Sequence, residues 1–193
     1  MILLWKSLVL SKLDYCSQLW SPTAKGDIQK LEMVQRSFIR KIDEIKNLSY
    51  WDQLKKVKLY SLERRRERYM IIYIWRILEH QVPDFTVNKI HSLNEGGRLG
   101  RRSSSPLVNS YASSEMKKVR YSSLSVRGPQ LLNVLPADLR NLKNCSVESF
   151  KRALDKFLST VPDEPQIPGY TAMRRADSNS LVDMVRHTNH QMT

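Results

Sequence analysis

Four arginines stand among five consecutive positions, Arg64, Arg65, Arg66 and Arg68, and an almost unbroken apolar run from Tyr69 to Leu78 follows them. Guanidinium groups fork onto phosphate oxygens in pairs, a geometry that a lysine ammonium does not offer. The chemistry suggested is the holding of a polyanion rather than bond making. Lys55 and Lys56 lie just upstream and extend the patch, and Arg98, Arg101 and Arg102 stand in the glycine- and serine-rich stretch EGGRLGRRSSSP. A chain of that composition can order itself around a backbone on binding. Two competing uses exist. Glu63 with Arg66, and Arg64 with Glu67, can pair along one helix at a few tenths of a kcal/mol each. Cations in the first turns of a helix also oppose its macrodipole by roughly 0.3–1 kcal/mol per charge, so the cluster sits in an unfavourable place and needs a reason. Tyr50 and Trp51, beside the lysines, are candidates for stacking on bases. Tyr69, Tyr73 and Trp75, on a helix apolar all round, read as core.

The charge balance points the same way. Lys and Arg outnumber Asp and Glu by 32 to 19, a net +13 with a pI near 9.9. Residues 51–130 hold 16 basic and 7 acidic side chains, so +9 of the +13 lies in the middle of the chain. Such a belt favours nucleic acid or an acidic membrane surface. Catalytic and metal patterns are missing. Cys16, Cys145, His187 and His190 lack the close spacing of a zinc knuckle, Gly96 to Gly100 ends in no GK[ST], and no serine is placed beside a histidine and an acid. No cofactor is expected. Two cysteines make no disulfide framework, and each is expected as a buried free thiol. MILLWKSLVLSKL has no basic leader or cleavage site and is too short and interrupted to span a bilayer, so the expected location is intracellular, nucleus or cytoplasm, with no membrane span.

The elements that must position these groups are mostly helical. The expected fold class is mostly α, five to six helices around one core, with a basic irregular segment in the middle and a poorly ordered C-terminal tail. Residues 1–87 form a helical region, 88–126 a basic loop-rich segment with room for a short strand pair at KKVRYSSLSV, 127–161 the C-terminal part of the same core, and 162–193 a linker and a disordered or frayed tail. Met1 to Trp20 reads as one helix with Leu4, Leu8 and Leu13 and Trp5, Val9 and Leu13 on overlapping apolar faces, ended by Ser21-Pro22. Asp27 is the expected cap of a second helix with a stripe of Ile28, Leu31, Val34, Phe38, Ile39 and Ile42. Ser49 and Asp52 have the form of a capping box. Ser61 caps the long helix, whose arginine-rich first half is expected to project into water while its second half is central to the core. GPQLLNVLPADLRN reads as two short helical pieces broken at Pro136. Ser146 then caps a helix with Val147, Phe150, Leu154, Phe157, Leu158 and Val161 on one face, and DSNSLVDMVRH reads as a last, frayed helix.

Three stretches in order carry a resemblance: YCSQLWSP leading into DIQKLEMVQRSFIRKI; NLSYWDQLKKVKLYSLERRRERYMIIYIWRIL; and GPQLLNVLPADLRN running into SVESFKRALDKFL. Over roughly residues 1–160 this order resembles the region after the palm in non-LTR (LINE-type) retrotransposon reverse transcriptases of the jockey and chicken-repeat kind. The resemblance implies a C-terminal, thumb-side piece of a longer polyprotein, Met1 being internal to it. Its partners would be template and primer, RNA and DNA held without sequence preference, and the missing polymerase palm. The aromatic-Ala-Asp-Asp turn of that palm is absent here, so the chain alone is not expected to be an enzyme, although its parent would be an RNA-directed DNA polymerase. Leu132 stands where a tryptophan is usual. Two other readings remain open: an inert helical relic, favoured if helix one or two exposes an apolar face, and peripheral membrane binding.

Overall fold

The computed structural model describes residues 1–82, 123–164 and 179–190. Among them every regular element is helical. The chain divides into two compact units, Met1–Tyr69 with Ser159–Thr193, and Met70–Leu158.

The first unit opens on α1, residues 2–14. It is α-helical over Ile2–Leu4 and Ser11–Asp14 and takes the wider π form over Trp5–Leu10. This changes which residues face inward. Of the two overlapping apolar faces, the one with Trp5 turns inward together with Leu10, while Leu4 and Leu8 are 62% and 60% exposed. In an α-helix, side chains five apart point about 140° apart. Bonding from i to i+5 brings them onto one side. Trp5 then stacks on Phe38 at 4.5 Å, and Leu10 joins the same cluster as Leu62. The expected continuous helix to Trp20 is broken at Cys16, whose φ is 49°. α2 (Ser17–Trp20) follows and stops at Ser21-Pro22. Both cysteines are free, but Cys16 is exposed and Cys145 half-buried, not interior as expected.

α3 (Lys25–Ile39) begins after Ala24 without a side-chain cap. Asp27, the expected cap, lies within its first turn and pairs with Lys30 at 3.0 Å. Ile28 and Ile39 are buried, whereas Val34 is largely exposed. A 3-10 turn, Asp43–Ile45, leads to α4 (Tyr50–Val57). Here the capping box forms: the Asp52 N–H donates to Ser49 Oγ at 3.2 Å, and the Ser49 hydroxyl donates to Asp52 Oδ2 at 2.6 Å. α4 ends at Lys58, φ 54°, with the Leu59 N–H closing back onto the Leu54 carbonyl at 3.0 Å, a Schellman-type stop. Ile39, Ile45, Tyr50 and Leu54 join α3 and α4 in one core.

α5 (Leu62–Leu78) gives its arginine-rich half to the first unit and its apolar half to the second. In the second unit Met70, Ile71, Ile72, Ile74, Trp75 and Ile77 are buried, as the all-round apolar pattern requires. Around them stand α6 (Leu124–Val134), α7 (Ala137–Arg140) and α8 (Val147–Leu158), with Pro136 separating α6 from α7 and the Ser146 Oγ accepting from the Ser149 N–H at 3.1 Å. Of the proposed strand pair, residues 117–122 lie outside the described residues, and Ser123–Val126 opens α6 instead of a strand. Trp75 stacks on Phe150, centroids 4.3 Å apart and planes within 6°, and donates its indole N–H to the Leu142 carbonyl at 2.8 Å. A Cβ on Gly128 would lie 2.5 Å from Ile74 Cγ1, so any other residue there requires the Ile74 side chain to shift. α9 (Leu181–His190), the helix expected in the tail, belongs to the first unit and buries Leu181 and Met184.

Candidate nucleic-acid interface

The arginine-rich half of α5 is not the wet end that its sequence suggests. Arg64 is fully buried and Arg66 is 5% exposed, and Glu63 and Glu67 on either side of them are buried too. Arg65 and Arg68 are half-buried. What pulls them inward is a set of carboxylates and carbonyls from distant parts of the chain. Arg65 grips Asp14 with two nitrogens, Nε to Oδ1 at 2.9 Å and Nη2 to Oδ2 at 2.6 Å, and also donates to Tyr69 Oη. Burial alone would lower the Arg65 pKa, but the hydrogen bonds and charge of Asp14 outweigh it, so the guanidinium is held charged. Arg64 donates Nη2 to the Pro162 carbonyl at 2.9 Å, and its Nε stands 4.0 Å from Asp163 Oδ1. Arg65 and Arg68 both lie over the Tyr69 ring, at 5.4 and 5.7 Å.

The conflict between these cations and the helix dipole is resolved at the same place. The start of α5 carries three caps. Ser61 Oγ accepts from the Arg64 N–H at 3.1 Å; Asp163 Oδ2 accepts from the Ser61 N–H at 2.7 Å; and Glu32 accepts from the Leu62 N–H, 3.0 Å to Oε2. Two carboxylates at a helix N-terminus favour its dipole and offset the cations beyond them. Asn179 ties in by donating to Ser61 Oγ and Asp163 Oδ1, at 3.2 and 2.8 Å. The device recurs one step on. Glu67 accepts from the Leu181 N–H at 2.8 Å and the Ser180 hydroxyl at 2.7 Å, capping α9 from within α5. Glu32 is the most perturbed carboxyl. Burial pushes its pKa up to about 7, against the pull of the hydrogen bond from Tyr50; the charge of Asp163 adds to the rise, and Arg66 opposes it. Burial, reinforced by Glu32, likewise raises the Tyr50 phenol.

Tyr50, proposed for base stacking, is therefore buried, and Trp51 is half-buried against the same core. Lys55 is exposed but bridged to Glu164 at 3.1 Å and Asp52 at 3.6 Å; the hydrogen bond it donates to Glu164 chiefly raises its pKa. Lys56 is exposed. Arg98, Arg101 and Arg102 lie outside the described residues. The structure thus brings Arg64, Arg65 and Arg66 into a polar interior and leaves Lys55 and Lys56 at the surface of the same unit. Three further cations stand at the surface: Arg40 and Lys41 at the end of α3, and Lys58 at the end of α4. These three and Lys56 are exposed and make no ion pair with a described residue. Among the described residues no group of His, Cys, Asp and Glu is arranged to hold a metal, and no helix is long and apolar enough to cross a membrane. No protein-family model, curated protein or solved structure matches the chain.

Proposed function

We propose that the chain is a non-catalytic helical module of a LINE-type reverse transcriptase whose hold on RNA and DNA lies in its solvent-facing cations, not in the arginine cluster. The observation that supports this division is the contrast in burial: Arg64 and Arg66 are interior, while Arg40, Lys41, Lys56 and Lys58 stand in water without an ion pair to a described residue. Lys56 and Lys58 also fit a blander role, since cations in the last turn of α4 complement its dipole. Phosphate binding through such groups is indifferent to sequence and weakens steeply with salt, by about 0.9 in log–log slope for each phosphate neutralised.

Polarisation of a labelled RNA hairpin and a matching DNA duplex, titrated at several salt concentrations, tests this. The double variants Arg40→Ala/Lys41→Ala and Lys56→Ala/Lys58→Ala are expected to stay folded, to bind more weakly, and to lose slope by about one per phosphate contact removed. A folded wild type that binds neither probe at low salt rejects the reading. Full binding by the two variants would move the grip to residues 98–102. A second reading, a helical packing piece with no activity of its own, is favoured by the exposed leucines of α1; it predicts no binding by any folded form.

A further inference from the structure

The start of α5 holds an anion, and that anion comes from the chain itself. Asp163 places Oδ2 on the Ser61 N–H and Oδ1 on the Ser61 hydroxyl, both at 2.7 Å, and Asn179 donates to Oδ1 at 2.8 Å. Arg64 faces the same carboxylate without reaching it, its Nε being 4.0 Å from Oδ1 and outside hydrogen-bond distance. The guanidinium is fully buried and donates Nη2 to the Pro162 carbonyl at 2.9 Å, yet its Nε and Nη1 have no hydrogen-bond partner among the described residues. Buried charged donors left open are costly, so Asp163 does not complete the seat it occupies. A carboxylate offers two oxygens in one plane. A phosphate offers its oxygens in a tetrahedral array, suited both to a guanidinium fork and to the N–H groups of a helix start. The next residue repeats the pattern, since Glu164 accepts from Lys55 Nζ at 3.1 Å. Two consecutive acids thus cover Arg64 and Lys55, two of the cations whose chemistry suits phosphate.

We propose that the seat formed by Ser61, Arg64 and Lys55 is a phosphate site for a nucleic-acid backbone, and that Asp163 and Glu164 are its built-in competitors. Such a site rests on the nucleic-acid function proposed above and adds a gated contact to it. Tethered to the same chain, the two acids compete at an effective concentration on the order of millimolar. A free phosphate ion has no matching advantage. A polyanion already held by Lys56 and Lys58, exposed on the same stretch of chain as Lys55, presents its next phosphate as a tethered group too. Glu32, on the adjacent Leu62 N–H, opposes an incoming anion. Tyr50, Asp163 and Arg66 face it, and burial pushes its pKa up to about 7, so below that value its opposition fades. With the acidic pair docked, only surface cations are on offer; with it displaced, Lys55 and Arg64 join them.

Polarisation of a labelled RNA hairpin with the full chain, about one pH unit below the Glu32 value, is the test. Asp163→Asn/Glu164→Gln keeps both shapes and removes both charges; it should bind about tenfold tighter than wild type, with a steeper salt slope. Asp43→Asn/Glu44→Gln makes the same charge change at exposed residues and should gain distinctly less. Lys55→Ala should cost little in wild type, where Glu164 occupies the lysine, but cancel much of the gain in the Asp163→Asn/Glu164→Gln background. Asp163→Ala leaves the seat empty, and inorganic phosphate should raise its melting temperature while leaving wild type unmoved. Equal gains from the two double variants, or a gain indifferent to Lys55, would overturn the proposal while leaving binding by the surface cations intact. Phosphate stabilising Asp163→Ala with no gain for RNA would make this a seat for the free ion and overturn the nucleic-acid occupant. Folded wild type and folded variants that all ignore RNA would reject the site and the nucleic-acid function together. Should Asp163→Asn prevent folding, Glu164→Gln with and without Lys55→Ala carries the same comparison.

Discussion

The two ends of α5 are buried by opposite means. From Met70 to Ile77 the interior is made of isoleucines, methionine and Trp75, whose requirements are volume and shape. From Ser61 to Glu67 it is made of arginines, glutamates and a serine, each of which needs a particular partner. Apolar burial is non-directional and roughly proportional to area. Charge burial is stabilising only when the hydrogen bonds are complete, and it becomes costly when one partner is lost. The apolar half is thus satisfied by whatever packs on it, while the charged half fixes which segments arrive: Glu32 from α3, Asp14 from α1, and residues 162–163 and 179–181 from the end of the chain.

Five substitutions or conditions probe that contrast. Trp75→Ala removes a stacked, hydrogen-bonded indole from the apolar half and should cost about 3–5 kcal/mol in urea unfolding; a loss below ~1 kcal/mol would mean the stack contributes little. In the charged half, Asp163→Ala strips acceptors from the Ser61 N–H, the Ser61 hydroxyl and Asn179, and should cost about 3 kcal/mol. The sharper comparison is Arg64→Met. Removing the guanidinium alone leaves the Pro162 carbonyl and Asp163 without it, so a loss of about 3 kcal/mol is expected, and a neutral result would show that Ser61 and Asn179 satisfy Asp163 by themselves.

Acid titration separates the halves differently. Glu32 has a folded pKa of about 7 against an ordinary value of 4.5, so between those values the folded state binds more protons than the unfolded one. Stability therefore falls as pH rises through that window, by on the order of 3 kcal/mol from this group, and the loss is complete above the folded pKa. Glu32→Gln should flatten that part of the stability–pH curve; an unchanged curve would assign the dependence elsewhere. The smallest effect expected is Gly128→Ala, where the new methyl meets Ile74 at 2.5 Å. A cost of about 1–3 kcal/mol from overpacking is expected, and a neutral result would mean Ile74 can turn aside.

Much of the fold was legible because it rests on local rules. The caps at Ser49, Ser61 and Ser146, the break at Pro136, the stripe of α8 and the inward face of Met70–Ile77 each follow from residues within one or two turns. The misread parts depended on winding or on distant partners. At 3.6 residues per turn the first helix offers two overlapping apolar faces, and the π segment decides between them by bringing Leu10 beside Trp5. The arginine cluster looked solvated because the chain near it offered only Glu63 and Glu67, while Asp14 and Asp163 lie 51 and about 100 positions away. A weak signal did exist: cations in the first turn of a helix are disfavoured, and only nearby anions make the placement tolerable.

By itself, then, the sequence determined the helical class, most helix ends and the apolar core of the second unit, since periodicity and capping act over a few residues. Only the tertiary structure decided where the charges go. A guanidinium is equally at home in water, on a phosphate or against a buried carboxylate, and the choice is set by which acids the folded chain brings within about 3 Å.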